Sequence, residues 1–299
     1  MLRKLGFYLL AGLGGAAGVS AQTLQVAGSD LLQVAVGEPL MDYVRQNGLD
    51  VKVDFFGTIP AMTQLKDDKV QLAVIAAPVG EQPASKDYTV VPYAYQVAYI
   101  LVNGDNPMTE VDRDQLIGVF GTGQATDITD WSQLGLSGDW TTRSVLAVTT
   151  NNDDGVVLEL FKHTILGGTA LKPSVQVLAS GSDVAKSVND NPNIIAVARY
   201  VPDGAKALYV SFEQTEGATV AEAGSEVSFA PTEENVYNGD YPLRLPFYIV
   251  YKPENKARVR ELLRVLLSED FSAHLRDQHF LPLPDTERKR ALLELDNGK

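Results

Sequence analysis

The sequence predicts an α/β fold with parallel strands, and three observations point there. Short β-branched runs alternate with amphipathic helical stretches along most of the chain. Several strand ends pass through Gly, Ser, Thr or Asn directly into a helical pattern. The chain has 299 residues, 45% of them hydrophobic, which is enough to bury one large domain or two lobes.

The N-terminal 21 residues stand apart from this pattern. Arg3 and Lys4 precede the apolar run Leu5 to Val19, and the small pair Ser20-Ala21 follows it. A charged n-region, an h-region and a small-residue cleavage site make residues 1–21 a secretory signal peptide, cut near Ala21-Gln22. A buried helix would tolerate Gly12, Gly14, Gly15 and Gly18 poorly, since each costs about 0.5–1 kcal/mol relative to Ala. The run is also shorter than the ~20 apolar residues of a membrane span. The expectation is an exported, soluble mature protein.

The elements then follow in order. Leu24 to Ala27 reads as a strand and Leu31 to Arg45 as a helical stretch. Val51 to Phe55 and Val70 to Ala77 are strands flanking a short helix, Ile59 to Lys66. Tyr88 to Asn103 is a long apolar, aromatic-rich stretch without a breaker after Pro92. Val111 to Phe120 looks helical and Ser144 to Thr149 looks like a strand. Asp154 to Leu166 is helical, with Val157, Leu158, Phe161 and Ile165 on one face. Val175 to Leu178, Asp183 to Val188 and Ile194 to Ala198 continue the alternation. Ser211 to Asn238, rich in Glu, Ala, Gly and Ser, reads as a domain connection or an inserted flap. A strand, Phe247 to Tyr251, and a strongly periodic helix, Glu254 to Leu267, come before the end. The tail from Asp285 to Lys299 alternates charges on a surface helix.

Composition excludes several classes of function. There is no cysteine, so disulfides, thiolate chemistry, cysteine zinc sites and lipid-modified cysteine are ruled out. The formal charge is -13, and loss of Arg3 and Lys4 with the signal would take it to -15. Such a surface disfavours nucleic acid and anionic membranes, and any anion site must rest on local donors. Catalytic motifs are absent: there is no G-x-S-x-G elbow, no H-E-x-x-H and no P-loop. The histidines, His163, His274 and His279, have no nucleophile partner in sequence, and carboxylate pairs such as Asp67-Asp68 read as solvated faces.

Binding signals are better developed. Gly28-Ser29-Asp30 stands between the first strand and its helix. Gly57-Thr58 stands before the helix at Ile59, the run Asn151-Asn152-Asp153-Asp154-Gly155 before the helix to Leu166, and Ser180-Gly181-Ser182 before the next. Residues of this kind at a strand-to-helix junction cap the helix. The same geometry aims backbone N–H groups and the positive end of the helix dipole at an anion. Four such junctions converge if the carboxyl edges of the sheets face one crevice. The candidate ligand residues are therefore Gly28, Ser29, Asp30, Gly57, Thr58, Asn151, Asn152, Gly155 and Ser180.

Several stretches together resemble the substrate-binding proteins of phosphate ABC importers, which have the periplasmic-binding-protein type II fold. They are Val26-Ala27-Gly28-Ser29-Asp30, Gly57-Thr58 with Lys69-Val70-Gln71-Leu72-Ala73, and Asn106-Pro107 with Leu116 to Gly121. The series continues with Ile128 to Leu134 around Trp131, Ala185 to Ala196, and Asn238 to Val250 around Tyr241-Pro242. Leu266-Leu267-Ser268-Glu269 and Phe280-Leu281-Pro282-Leu283 complete it. The resemblance spans the mature chain, and its most specific parts surround Trp131 and Tyr241-Pro242. It implies two α/β lobes with a ligand cleft between them, lobe one from 22–97 and 226–299 and lobe two from 98–225. Tyr88 to Asn103 would hold the first crossing.

The resemblance also implies non-catalytic capture of a small solute, phosphate or another oxyanion, in the periplasm. No cofactor, metal or nucleic acid is implied, and the partners would be the membrane subunits of an importer. The chain departs from the family pattern where Gln71 aligns with its acid and Thr150 with its arginine. Either backbone N–H groups with Ser29, Thr58, Asn151 and Asn152 hold the anion, or the ligand has changed. A relative that has lost transport and serves the envelope as a structural or sensory protein is the alternative, and a secreted hydrolase is a third class without a motif to carry it.

Overall fold

The computed structural model describes residues 23–78, 81, 83, 86–122, 127–151, 155–213 and 226–297. The signal segment lies outside the described residues, as do Asn152, Asp153, Asp154 and most of the Glu/Ala/Gly-rich stretch, 214–225.

The chain starts with strand β1 (Leu24–Gly28). The helical stretch after it is not one helix. Asp30–Leu32 is a 3-10 turn and Gln33–Gly37 a π turn, and only Glu38–Gln46 is α-helix, α1, with Pro39 in its first turn. Pro lacks an N–H and is tolerated only where none is needed, so α1 starts there. β2 (Val51–Phe55), α2 (Thr58–Lys66) and β3 (Leu72–Ala76) follow as expected. The apolar stretch 88–103 is two strands, β4 (Thr89–Val97) and β5 (Tyr99–Asn103).

β6 (Glu110–Asp112) leads into α3 (Arg113–Phe120), which opens on a capping box. There Asp112 Oδ1 accepts from the Gln115 amide at 2.7 Å, and Gln115 Oε1 accepts from the Asp112 amide at 3.0 Å. β7 (Leu146–Thr150) precedes α4 (Val157–Phe161), which runs on as a π turn over Lys162–Leu166. α4 starts at Val157 with no side-chain cap, and Asp154, where the sequence reading starts the helix, lies outside the described residues. β8 (Gln176–Leu178), α5 (Gly181–Asp190), β9 (Ile194–Ala198), β10 (Ala205–Ala207) and β11 (Tyr209–Glu213) come next. β12 (Glu226–Phe229) and α6 (Glu233–Asn238) fall in the stretch that reads as irregular in sequence. The chain closes with β13 (Arg244–Tyr251), α7 (Lys256–Leu266), α8 (Glu269–Asp277), β14 (Leu281–Pro282) and α9 (Asp285–Asn297).

These elements make two α/β lobes. The first sheet has the order β14-β4-β13-β3-β1-β2, and the second β10-β5-β9-β7-β8. β1, β2 and β3 are mutually parallel, and so are β7, β8 and β9. The sheets are mixed rather than wholly parallel, because β4, β5 and β13 run against their neighbours. A chain that passes from one lobe to the other and back must enter each sheet in the opposite sense. A small third sheet, β12-β11-β6, packs beside the second.

Each main sheet has its own apolar core. Leu72, Val74, Phe247 and Ile249 pack beneath Val259, Leu262, Leu263 and Leu266 of α7, and Ala61 and Leu65 of α2 cover the other face. The second core gathers Ile100, Val148, Ile195 and Val197 with Phe120, Phe161 and Trp131. Trp131 is fully buried and meets Trp140 edge-on at 5.6 Å. The 3-10 turn at Asp130-Trp131-Ser132-Gln133 has its own capping box, which accounts for the spacing of that motif.

The two passages between sheets are bonded to each other. The Ala98 N–H donates to Leu243 O at 2.9 Å, and the buried Tyr241 hydroxyl donates to Ala98 O at 2.9 Å. Tyr241→Phe leaves that carbonyl unpartnered in a dry setting, a loss of about 1–3 kcal/mol. The expected result is a lower urea midpoint at unchanged m-value; an unmoved midpoint would show that the hydroxyl contributes nothing to the crossing.

Candidate functional site

Because β1, β2 and β3 are parallel, their carboxyl ends lie along one edge of the first sheet. Ser29 follows β1 there, and Gly57-Thr58 follows β2. Ser29 is buried, its amide donates to Val74 O at 2.8 Å, and its hydroxyl caps no helix amide. Asp30 next to it is exposed. Gly28 has a packing role: a Cβ there would stand 2.6–2.7 Å from three atoms of the Phe55 ring. Its carbonyl accepts from the amides of Phe56 and Gly57. Gly28 is needed for that packing.

Thr58 does more than start α2. Its hydroxyl accepts from the Ala76 N–H at 3.0 Å and faces Ala76 O at 3.3 Å, which ties α2 to the end of β3. At its N-terminus α2 offers backbone donors, the amides of Thr58 and Ile59; Pro60 has none, and Ala61 donates to Gly57 O.

The second sheet presents a matching edge. Thr150 ends β7 and is buried, and the Asn151 amide donates to Leu178 O at 2.9 Å. Asn152, named as a candidate from sequence, lies outside the described residues. Ser180 is the N-cap of α5: its hydroxyl oxygen takes the Asp183 amide at 3.2 Å, and Asp183 Oδ2 lies 2.8 Å away. The Ser180 side chain is thus engaged as a cap. Of the nine candidates, Ser29 and Thr58 stand at the carboxyl edge of the first sheet and Asn151 and Gly155 follow β7 at that of the second, while Gly28 and Ser180 have structural work of their own.

Gln71 is misplaced by the sequence comparison. Its amide donates to Gln25 O, and its Oε1 accepts from the Gln25 N–H at 3.0 Å, at the start of β3. Five residues of strand separate it from Ala76, roughly 17 Å at ~3.3 Å per residue. The side chain is a buried brace between β1 and β3, at the far end from the cleft. Buried Ala77 stands at the cleft end instead, and it has no acceptor for a ligand proton.

A cleft of ≈ 670 Å³ opens between the end of β3, α4 and the return crossing, and none of the described candidates lines it. Pro78 and Glu81 line it beyond β3, Val156, Leu160 and His163 line it from α4, and Pro242, Arg244 and Leu245 line it from the return crossing. Sequence reasoning passed over Arg244 and Gln96. The Arg244 guanidinium donates to Tyr237 O at 3.0 Å and to Val236 O, so it closes the end of α6. It also lies over the Tyr95 ring, 5.4 Å from the centroid. Burial holds the Tyr95 phenol well above its usual range, against the opposing pull of Arg244. Tyr95 therefore stays neutral, and among the described residues Arg244 has no carboxylate partner.

Gln96, on β4 opposite Leu245, is 2% exposed. Its amide nitrogen lies 2.6 Å from where a Cβ on Gly155 would be, and its Oε1 has no hydrogen-bond partner. Gly155 has φ +106°, so both backbone and space require glycine there. A run of apolar, aromatic strand conceals a lone Gln; only the junction it reaches marks it.

The histidines do not gather. His163 is exposed on the cleft wall, His274 lies on α8, and His279 stacks on Tyr200 at 4.0 Å. Among the described residues no group of His, Asp and Glu is placed to hold a metal ion, and no helix is long and apolar enough to cross a membrane.

Comparison with known proteins agrees with this architecture. The family model of the PBP superfamily domain matches residues 15–270. The chain is 28% identical over 244 residues to the phosphate-binding protein PstS of Pseudomonas aeruginosa, covering 79% of this chain and 71% of that one. Among solved structures, an ABC-type phosphate transport receptor from Vibrio cholerae superposes with a TM-score of 0.58 at 22% identity, over 87% of this chain and all 100% of its own. A possible phosphate binding protein from Planctomyces limnophilus superposes with a TM-score of 0.64 at 17% identity, over 92% and 97%. These likenesses establish the fold.

Thr58→Ala removes the clasp on Ala76 and is expected to lower stability by about 0.5–1.5 kcal/mol, while Thr58→Ser keeps most of it. Denaturant melts of the two variants check this; equal losses would mean that the methyl group, not the hydroxyl, matters.

Proposed function

The chain belongs to the PBP superfamily, and from that premise we propose that it is an exported receptor that captures a small oxyanion, phosphate or a close analogue, and delivers it to the membrane subunits of an ABC importer. The reading rests on one observation: β1, β2 and β3 are mutually parallel, as are β7, β8 and β9, so each main sheet brings its strand-to-helix junctions to one carboxyl edge, and bonded crossings join the two sheets. Similarity to a phosphate-binding protein over 79% of the chain supports the ligand class. The n-region and cleavage pattern of residues 1–21 support export to the periplasm. We place lobe one at 23–97 and 244–297 and lobe two at 98–243. Residues 226–243 move to lobe two because β12 pairs with β11 and Val236 and Tyr241 join its core.

The mechanism proposed is closure. A ligand that touches both edges stabilises the closed arrangement by the difference between its contacts in the closed and open states. The donors are mostly neutral. Thr150 and Ala77 contribute no charge, and Arg244 is held at the end of α6. A site that lacks one buried charged partner loses about 2–5 kcal/mol, roughly 30- to several-thousand-fold in affinity. Ala77 offers no acid at the end of β3 to accept a ligand proton, the carboxylates of the cleft being Glu81 and Glu159 on its walls, and on this reading the site treats phosphate and sulfate alike.

Calorimetric titration of anion-stripped protein is expected to show binding of both anions, within about tenfold of each other. Sub-micromolar phosphate affinity with strong rejection of sulfate would overturn the neutral-site reading. A ligand at a hundred times its Kd adds about 2.7 kcal/mol of stability, so thermal melts test capture itself: no shift with any small anion would favour a structural or sensory envelope role. Protein isolated from its native host is expected to begin at Gln22 or within two residues of it; a retained Met1 would sink the export proposal.

A further inference from the structure

We propose that Gln96 is a specificity-determining residue of the captured ligand, its side-chain amide bonding one oxygen of the oxyanion beside Gly155. This rests on the capture reading above and adds to it a residue whose neutral amide sets the ligand range, admitting protonated and unprotonated anions alike. Three observations meet at this side chain. It is almost wholly removed from solvent, yet its Oε1 has no hydrogen-bond partner. Buried amides are almost always bonded at both ends, so an open acceptor in a native site calls for a reason. Next, the amide reaches across to the other lobe, against Gly155 at the turn between β7 and α4. Last, Gln96 sits two residues before Ala98, where the crossings are bonded together. A group there keeps its place as the lobes close, because it stands at the pivot rather than on a moving wall.

The chemistry follows from the amide. Its N–H donates to an ionised oxygen, and its carbonyl accepts from a protonated one, so a single neutral group serves hydrogen phosphate and sulfate alike. A carboxylate in its place could only accept: it would keep an anion that carries a proton and repel one that carries none. Ala77, at the end of β3, leaves this position without a competing acceptor from that strand.

The test is a set of calorimetric titrations with inorganic phosphate and with sulfate at pH 8, on wild-type protein, Gln96→Glu and Gln96→Met. Wild type is expected to bind both anions within about tenfold of each other. Gln96→Met, similar in volume but without donor or acceptor, is expected to weaken both by tenfold or more. Gln96→Glu is expected to weaken sulfate at least tenfold more than phosphate. A general loss of folding cannot imitate that change in ratio, and a thermal melt of each variant accompanies the titration. If wild type binds the anions but both variants keep its affinities within twofold, the assignment to Gln96 is wrong and capture stands. If wild type binds neither anion, the capture reading falls and takes this assignment with it. If both variants weaken the two anions equally, Gln96 supports the cleft without choosing the ligand, and the proposal is overturned.

Discussion

The pairing of the two crossings is the constraint on which the rest depends. One peptide bond from each passage, at Ala98 and Leu243, is joined by a hydrogen bond, and Tyr241 adds a second from within the core. Buried polar groups that are bonded to each other resist separation, because neither finds water if the bond breaks. The bond holds the crossings in register, and the register sets where Gln96, Arg244 and Leu245 face. Without it the two carboxyl edges would still exist, each on its own sheet, but nothing would aim them at one another.

Electrostatics gives the cleft an unusual balance. The chain carries a formal charge of -13, so the long-range field repels anions. Attraction must come at short range, from amides and from the one guanidinium that lines the cleft wall among the described residues. That guanidinium is already turned toward the carbonyls that end α6, whose partial negative charge favours a cation there. Its residual positive charge still reaches the cleft, since neutral Tyr95 does not cancel it.

Much of this was legible in the residues and some was not, for identifiable reasons. The motif around Trp131 was legible because it is closed by local bonds between nearby residues, whereas the return crossing near Tyr241-Pro242 was not, because its bonds reach Ala98 far back along the chain. The strand-to-helix junctions were legible as junctions, but not in their use. A Ser before a helix has the same sequence whether its hydroxyl takes the Asp183 amide, as Ser180 does, or caps nothing, as with Ser29. Gln71 shows the opposite failure: matching a strand by its hydrophobic pattern left the polar residue at the wrong end, since alternation is blind to which end of a strand meets the cleft. Gln96 was hidden in an apolar run because its meaning depends on Gly155, which lies far along the chain and in the other lobe.

The sequence by itself determined the class of fold, the order of most elements, the separate glycine and hydroxyl turns, and the lack of cysteine chemistry. These follow from periodicity, from turn residues and from composition, which act over a few neighbours or over none. The tertiary structure alone decided which turns share a crevice, which hydroxyls are already bonded, and that 226–243 packs with the second sheet. It alone placed an amide from one lobe against a glycine of the other. Such facts are set by contacts between residues far apart in the chain, whose formation depends on the whole core closing at once, and no local pattern records them.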